Sequence, residues 1–95
     1  MTPFRLTFKF DPDKAASNLK KHGVSFDEAV TVFDDPLSST LPDDQHSDEE
    51  DRLIIVGLSS QRRLLFVVYT EIDSRIRLIG ARPVTATERD QYEQP

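Results

Sequence analysis

The chain has 95 residues, 37% of them hydrophobic, and a formal net charge of −5. This length predicts one domain spanning 1–95. The absence of cysteine excludes disulfides and thiolate metal sites and favours a cytoplasmic protein. The N-terminus lacks an apolar signal core, and no segment approaches the ~20 apolar residues of a membrane span, so we expect no membrane contact.

The acidity is concentrated in one segment. Residues 34–51 carry eight acidic side chains and no lysine or arginine, whereas the rest of the chain carries twelve basic and nine acidic residues, a net of +3. Phosphate affinity depends on local basic groups rather than on the total charge. A nucleic-acid ligand is therefore compatible with this acidic chain.

The first part of the chain predicts a strand followed by two helices. Residues 4–10 alternate apolar and polar side chains, which is typical of a half-buried strand. Asp11 and Pro12 form a helix start and Gly23 a helix stop, which predicts a helix over 12–22.

A capping-box spacing then begins the second helix. Ser25 and Glu28 have that spacing, and apolar residues follow at helical intervals, which predicts a helix over 26–34. We expect a short edge strand at 37–41 and an exposed acidic loop at 42–51.

The second half predicts strands at 52–58, 64–70 and 75–82, joined by short polar turns and therefore antiparallel. Thr85 and Glu88 repeat the capping-box spacing and open a short helix that continues to about residue 93. The predicted fold is α+β. It comprises an N-terminal strand, two helices, an antiparallel three- to four-stranded meander and a short C-terminal helix, with the helices on one face of the sheet.

Three arginines, Arg75, Arg77 and Arg82, lie on an otherwise apolar predicted strand. A guanidinium group matches two phosphate oxygens at once and keeps its charge at any usable pH, so the pattern indicates an anion site. The structural alternative is that these arginines pair with nearby carboxylates such as Glu71 and Asp73. Arg82 lies on the opposite face from the other two unless a bulge intervenes.

The first predicted helix has a basic and hydrogen-bonding side. Its members, spaced for one side of a helix, are Lys14, Asn18, Lys21 and His22. Ala15 and Leu19 are expected to face the core. The alternative is a solvated side whose cations complement the helix dipole.

A longer ordered set of residues carries a family resemblance. Its first part is Phe10, Asp11, Pro12, Lys14, Asn18, Lys21, His22, Gly23, Val24, Phe26, Ala29, Phe33, Asp34, Asp35 and Pro36. Its second part is Arg52, Gly57, Thr70, Glu71, Arg75, Ile76, Arg77, Ile79, Ala81, Arg82, Thr87, Glu88 and Tyr92. By the order and spacing of these residues, the chain resembles BrnT-type toxins of bacterial type II toxin–antitoxin systems over residues 8–93.

The resemblance implies a RelE/ParE-like fold and a ribonuclease that slows translation. It also implies a BrnA-like antitoxin with a ribbon-helix-helix DNA-binding part, so that operator DNA is bound only through that partner. Two features depart from the family. Gly80 stands where the family commonly has serine, and the acidic segment weakens attraction to RNA.

RNA cleavage without a metal requires a base, an acid and cations around the phosphate. Arg75, Arg77 and Arg82 are the candidates for holding that phosphate. His22 is the leading proton carrier, because histidine exchanges protons near neutral pH, and Lys21 is a weaker candidate. The further candidate phosphate-binding residues are Lys14, Asn18, Arg52 and Tyr69, and Tyr69 and Glu71 are also weak candidates for proton transfer.

No metal or other cofactor is expected. The two histidines, His22 and His46, are far apart in sequence, and the acidic segment lacks a calcium-loop pattern. Two other functions remain open. One is a non-catalytic module that occupies a protein or ribosomal target, and the other is a degenerate toxin that only binds its antitoxin.

Overall fold

The computed structural model of the chain describes residues 7–43 and 51–93. Its elements in chain order are β1 (Thr7–Lys9), α1 (Pro12–His22), α2 (Phe26–Thr31), a 3₁₀ turn (Val32–Asp34), β2 (Ser39–Pro42), β3 (Arg52–Leu58), β4 (Leu64–Ile72), β5 (Arg75–Pro83) and α3 (Ala86–Glu93). This order confirms the predicted α+β class. Residues 4–6 of the first predicted strand, and 44–50 of the predicted acidic loop with His46, lie outside the described residues.

The described strands form one sheet in the order β1-β5-β4-β3-β2. Neighbours from β2 to β5 pair antiparallel, and for β3, β4 and β5 the short turns predict this pairing. β1 adds a fifth strand, which pairs parallel with the start of β5, through Lys9 opposite Arg77. No helix in this part of the chain is both long and apolar enough to cross a membrane.

Helix α1 begins and ends where its caps predict. The Asp11 carboxylate accepts the Asp13 N–H at 2.8 Å, and Gly23 ends the helix in the left-handed conformation at φ 69°. The Gly23 N–H donates to the Leu19 carbonyl at 2.8 Å. The prediction that Leu19 faces the core is wrong, because its side chain is 51% exposed.

Helix α2 shows only half of the predicted capping box. The Ser25 hydroxyl accepts the Glu28 N–H at 3.0 Å, but the Glu28 carboxylate turns away from Ser25. It accepts the Ser59 hydroxyl at 2.6 Å and both Nε and Nη2 of Arg63. Arg63 also donates to the Gly23 carbonyl at 2.9 Å. The Arg63 hydrogen bonds lower the pKa of Glu28 against the opposing effect of burial.

The main core lies between the sheet and the first two helices. Its most buried side chains are Phe26, Leu65, Leu78, Val24, Val32 and Val67. A second cluster, Ile54, Val56 and Leu64, lies on the opposite sheet face and packs against Val84 and Tyr92. Helix α3 therefore covers part of this second face, and the prediction that the helices share one face is wrong.

Tyr92 ties α3 to the segment before β2. Its hydroxyl donates to Asp35 Oδ2 at 2.7 Å, and the Leu58 N–H donates to the same oxygen at 2.8 Å. The Leu58 hydrogen bond is the main cause that lowers the pKa of Asp35. Burial, followed by the Asp35 contact, raises the pKa of Tyr92 to about 12. The phenol therefore stays protonated and donates at neutral pH.

Gly57 on β3 allows a close approach between the sheet and the segment 32–38. A Cβ at this position would lie 2.9 Å from Ser38 Cβ and 3.0 Å from both Asp35 Oδ2 and Val32 Cγ1. A Cβ at Gly80 on β5 would meet only Asn18 Oδ1, at 3.7 Å. An added methyl group would therefore clash at Gly57 and fit at Gly80.

We predict that Gly57→Ala lowers the free energy of unfolding by about 1–3 kcal/mol, because a methyl group there forces backbone movement. Gly80→Ala is the control and should change it by less than about 0.5 kcal/mol. Urea unfolding followed by circular dichroism measures both. Equal midpoints for the two variants would contradict the proposed close approach.

Candidate active site

Asn18 fastens α1 to an open stretch of the sheet edge. β1 pairs with β5 only through residues 75–77, so Ala81 lies beyond the β1 partner. The Asn18 side chain accepts the Ala81 N–H at 3.0 Å and donates to the Ala81 carbonyl at 2.8 Å. Its second amide hydrogen goes to the Val24 carbonyl at 2.9 Å. The side chain thus bonds the edge as a neighbouring strand would.

This attachment places the end of α1 beside the second half of β5. A shallow surface depression of about 190 Å³ lies between them. Its lining residues are Asn18, His22, Phe66, Val68, Gly80, Ala81 and Arg82. His22, which is exposed, and Arg82 therefore line the same depression. They lie 60 positions apart in the sequence.

Arg82 is held in a fixed orientation. Its guanidinium lies 4.0 Å from the centre of the Phe66 ring, a cation–π contact. Nη1 and Nη2 donate to the two carboxylate oxygens of Glu88 at 2.9 Å each, and Nη1 also donates to the Pro83 carbonyl at 3.1 Å. The hydrogen bond from Arg82 lowers the pKa of Glu88 to about 2. Both groups are therefore ionised at neutral pH.

Glu88 does not use the whole guanidinium group. Arginine has five N–H donors, and the bonds to Glu88 and Pro83 use both Nη1 hydrogens and one Nη2 hydrogen. Within the described residues, the Nε hydrogen and the other Nη2 hydrogen have no acceptor. The Arg82 side chain is 34% exposed, so these two N–H groups can donate to a pair of phosphate oxygens.

A bulge in β5 decides which way the arginines face. The β4 partners Val68 and Tyr69 are adjacent, but they pair with Gly80 and Leu78, so Ile79 is the extra residue. Ile76 and Leu78 before the bulge and Ala81 after it all pack in the helix-side core. Arg75, Arg77 and Arg82 consequently lie on the same face, opposite α1 and α2. Strict alternation predicts Arg82 on the opposite face from Arg77, but the bulge turns it to the same face.

The three arginines nevertheless do not form one cluster. Arg82 lies five positions after Arg77, a distance of about 15 Å along an extended strand. The alternative that Glu71 or Asp73 neutralises them is wrong for Arg82, whose partner is Glu88. In the described part of the chain, neither Arg75 nor Arg77 forms a salt bridge.

Two of the predicted phosphate-binding residues are placed in structural roles. Asn18 is only 8% exposed and both of its amide hydrogens bond backbone carbonyls, so it has no donor left for a phosphate. Tyr69 is buried on the helix side, where its ring packs edge-on against Phe33 with centroids 5.0 Å apart. Burial is the main cause that raises the pKa of Tyr69.

The remaining predicted residues lie outside the depression. Lys14 and Lys21 are exposed on α1, and Lys21 adjoins His22. Arg52 is half-buried at the start of β3. No group of three or more potential metal ligands occurs among residues 7–43 and 51–93.

Two contributors to the site were missed at the sequence level. Phe66 was assigned only to a strand, and Glu88 only to its capping box. The capping box itself is present, with the Thr85 N–H donating to Glu88 at 2.9 Å and the Glu88 N–H donating to Thr85 Oγ1 at 3.2 Å. The spacing of six residues between Arg82 and Glu88 gave no signal, because it spans the end of a strand and the start of a helix.

The family model places the chain in one class of protein, the ribonuclease toxins of type II toxin–antitoxin systems, and a solved structure shares its fold. The crystal structure of the Brucella abortus ribonuclease toxin BrnT superposes with a TM-score of 0.67 at 19% sequence identity, covering 85% of this chain and 99% of that chain. A search of curated protein sequences gave no match. Residues 10–88 match the model of the family described as the ribonuclease toxin BrnT of type II toxin–antitoxin systems.

The chain belongs to this BrnT family. The family assignment confirms the resemblance and identifies the chain as a ribonuclease toxin with an RNA substrate and an antitoxin partner. It says nothing about which side chains act on RNA, so the site rests on the geometry described above.

The Arg82–Glu88 pair predicts a pH dependence of stability. The pKa of Glu88 is about 2 in the folded chain and near its ordinary 4.5 when unfolded, so the pair stabilises the fold above pH 4.5 and loses this effect as the pH falls towards 2. We expect Glu88→Gln to lower the free energy of unfolding at pH 7 by about 1–2 kcal/mol, allowing for solvent screening.

Urea unfolding at neutral pH and at about pH 3 checks this prediction. The difference between wild type and Glu88→Gln should shrink in acid. Glu93→Gln is the control, because Glu93 is 58% exposed and its contact with Arg89 is 3.6 Å. A Glu88→Gln effect that is the same at both pH values would contradict the assigned pairing.

Proposed function

We propose that the chain is a metal-independent endoribonuclease that inhibits translation, with His22 and Arg82 as its central catalytic groups. The observation that supports this proposal is that both residues line one depression at the end of α1. A RelE/ParE-like relationship is part of the same proposal. The order of elements and the sheet with helices on both faces are compatible with it.

The proposed reaction is attack of the ribose 2′-hydroxyl on the adjacent phosphorus. The 2′ oxygen loses its proton and bonds to phosphorus, and the 5′ oxygen of the next nucleotide leaves and gains a proton. The products are a 2′,3′-cyclic phosphate and a 5′-hydroxyl end. Such a reaction needs a group that exchanges protons near neutral pH and a fixed positive charge at the phosphate.

His22 is suited to the proton transfer because it is an exposed histidine at the rim of the depression. Lys21, the next residue along α1, is the weaker candidate for the same role. Arg82 is suited to bind the phosphate because Glu88 and Phe66 fix its guanidinium before substrate arrives. Arg75, Arg77, Arg52 and Lys14 would then contact the RNA backbone outside the cut bond.

We further propose that the antitoxin is BrnA-like, with a ribbon-helix-helix part through which the pair binds operator DNA. The concentration of acidic residues at 34–51 supports a basic partner surface, since opposite charges accelerate association. Higher salt should slow association if this segment attracts the partner.

The Glu88 contact favours one second candidate, a degenerate toxin that binds its antitoxin without cutting RNA. Glu88 neutralises Arg82 and occupies two of its nitrogens, which reduces its attraction for phosphate. In this case the chain would bind antitoxin tightly and cause no growth arrest.

We predict that wild-type protein freed of antitoxin cuts RNA in the presence of a chelator and leaves 2′,3′-cyclic phosphate ends. His22→Ala should reduce the rate by about 10²–10⁴-fold, the usual contribution of general acid–base catalysis. Mapping RNA ends after incubation with each variant measures this. Arg82→Ala should also reduce the rate, because it removes the fixed charge.

The matched control is Lys20→Ala, because Lys20 is exposed on the same helix and lies outside the depression. All variants should keep the wild-type circular dichroism spectrum and antitoxin binding. Full activity of His22→Ala would remove His22 from the mechanism. An inactive wild-type protein that still binds antitoxin would support the degenerate toxin instead.

A further inference from the structure

Thr70 on β4 carries a buried hydroxyl with no partner. The residue is 2% exposed, and its Oγ1 is the one buried side-chain polar atom without a hydrogen bond in the described part of the chain. Leaving such a group unsatisfied costs about 1–3 kcal/mol. Because buried polar groups nearly always have a hydrogen-bond partner, the surroundings of this hydroxyl decide what could complete it.

The pairing register surrounds this hydroxyl with basic side chains. Thr70 pairs with Arg77 on β5 and with Arg52 on β3, and Arg77 pairs in turn with Lys9 on β1. Paired residues on adjacent strands point to the same face, with Cβ atoms about 4.5–5.5 Å apart. Tyr69 precedes Thr70 and Leu78 follows Arg77, and both pack in the helix-side core. The row formed by Lys9, Arg77, Thr70 and Arg52 therefore lies on the opposite face of the sheet.

Two basic residues of this set, Lys9 and Arg77, lack a salt bridge within the described residues. Both side chains are exposed. Two like charges directly opposite each other destabilise a sheet. An anion between Lys9 and Arg77 would offset this repulsion. Arg52 has interactions of its own and adds positive potential without being required as a free donor.

We propose that Lys9, Arg77 and Thr70 form a phosphate-binding subsite, which we call the cation row. Its occupant is a backbone phosphate of single-stranded RNA, held by the two cations and by the Thr70 hydroxyl as a donor. The cation row lies about 15 Å along β5 from Arg82, so it binds a phosphate other than the one that is cut. The identity of the occupant as RNA rests on the proposed function.

This subsite divides the arginines of β5 between two tasks. Arg82 acts at the cut bond, whereas Arg77 positions the RNA strand across the sheet. A phosphate contact outside the reacting bond strengthens ground state and transition state equally, so its loss raises KM and leaves kcat unchanged.

The test uses the full chain with two substitutions, Thr70→Val and Arg77→Gln. Valine keeps the shape of threonine and removes the unsatisfied hydroxyl, so the fold should be as stable as wild type or more stable. The matched controls are Thr87→Val and Arg89→Gln, which make the same changes at exposed positions of α3. The probe is a short single-stranded RNA with 2′-methoxy groups, which cannot be cut by the 2′ oxygen.

We expect Thr70→Val to weaken binding of this probe about tenfold, the effect of one hydrogen bond to a charged group. Arg77→Gln should weaken it similarly and reduce the salt dependence of binding by about one charge. With cleavable RNA, Thr70→Val should raise KM at unchanged kcat. Binding equal to that of the two controls, or a loss confined to kcat, would overturn the subsite.

A titration with inorganic phosphate separates this proposal from the ribonuclease mechanism. If the wild-type protein cuts no RNA, but phosphate shifts the Thr70 and Arg77 amide resonances and Thr70→Val abolishes the shifts, the anion site stands and the catalytic proposal fails. If the protein cuts RNA and Thr70→Val changes neither KM nor phosphate binding, the catalytic proposal stands and the cation row fails.

Discussion

The position of α1 depends on a single side-chain amide. This helix buries little apolar surface, since Asn18 is its one buried residue, Ala15 is partly buried against the core and Leu19 is 51% exposed. Hydrophobic packing therefore contributes little to where the helix lies along β5. The bonds of Asn18 to both backbone groups of Ala81 and to the Val24 carbonyl supply that register. His22 lies one turn further on, so its distance from Arg82 is set by the same amide.

The bulge at Ile79 has a comparable effect on the other side of the site. A regular strand would place Arg77 and Arg82 on different faces, and Arg82 would then point into the helix-side core. The extra residue restores Ala81 to that core and turns Arg82 towards Phe66 and Glu88. One inserted residue thus keeps the core packed and leaves all three arginines on the opposite face.

The local features of the sequence predicted the elements well, whereas the contacts between elements were not predictable from it. The strand 52–58 and the caps at Asp11 and Gly23 were correct because each is encoded within a few residues. The burial of Asn18 was missed because a polar residue at helical spacing looks the same whether it faces solvent or an open strand edge. The parallel pairing of β1 with β5 was missed because it joins the two ends of the chain.

The two groups of basic residues differ in a way that fits catalysis by an acidic protein. Arg82 packs on the Phe66 ring and donates two hydrogen bonds to Glu88, which partly neutralises its charge. In the proposed mechanism it therefore orients the phosphate more than it attracts RNA. Lys9 and Arg77 are exposed and lack salt bridges within the described ranges, so in the proposed mechanism their charge attracts RNA. Because Glu88 has a pKa of about 2, the Arg82–Glu88 pair keeps its charges throughout the neutral range. Proton transfer at neutral pH therefore needs a group outside this pair.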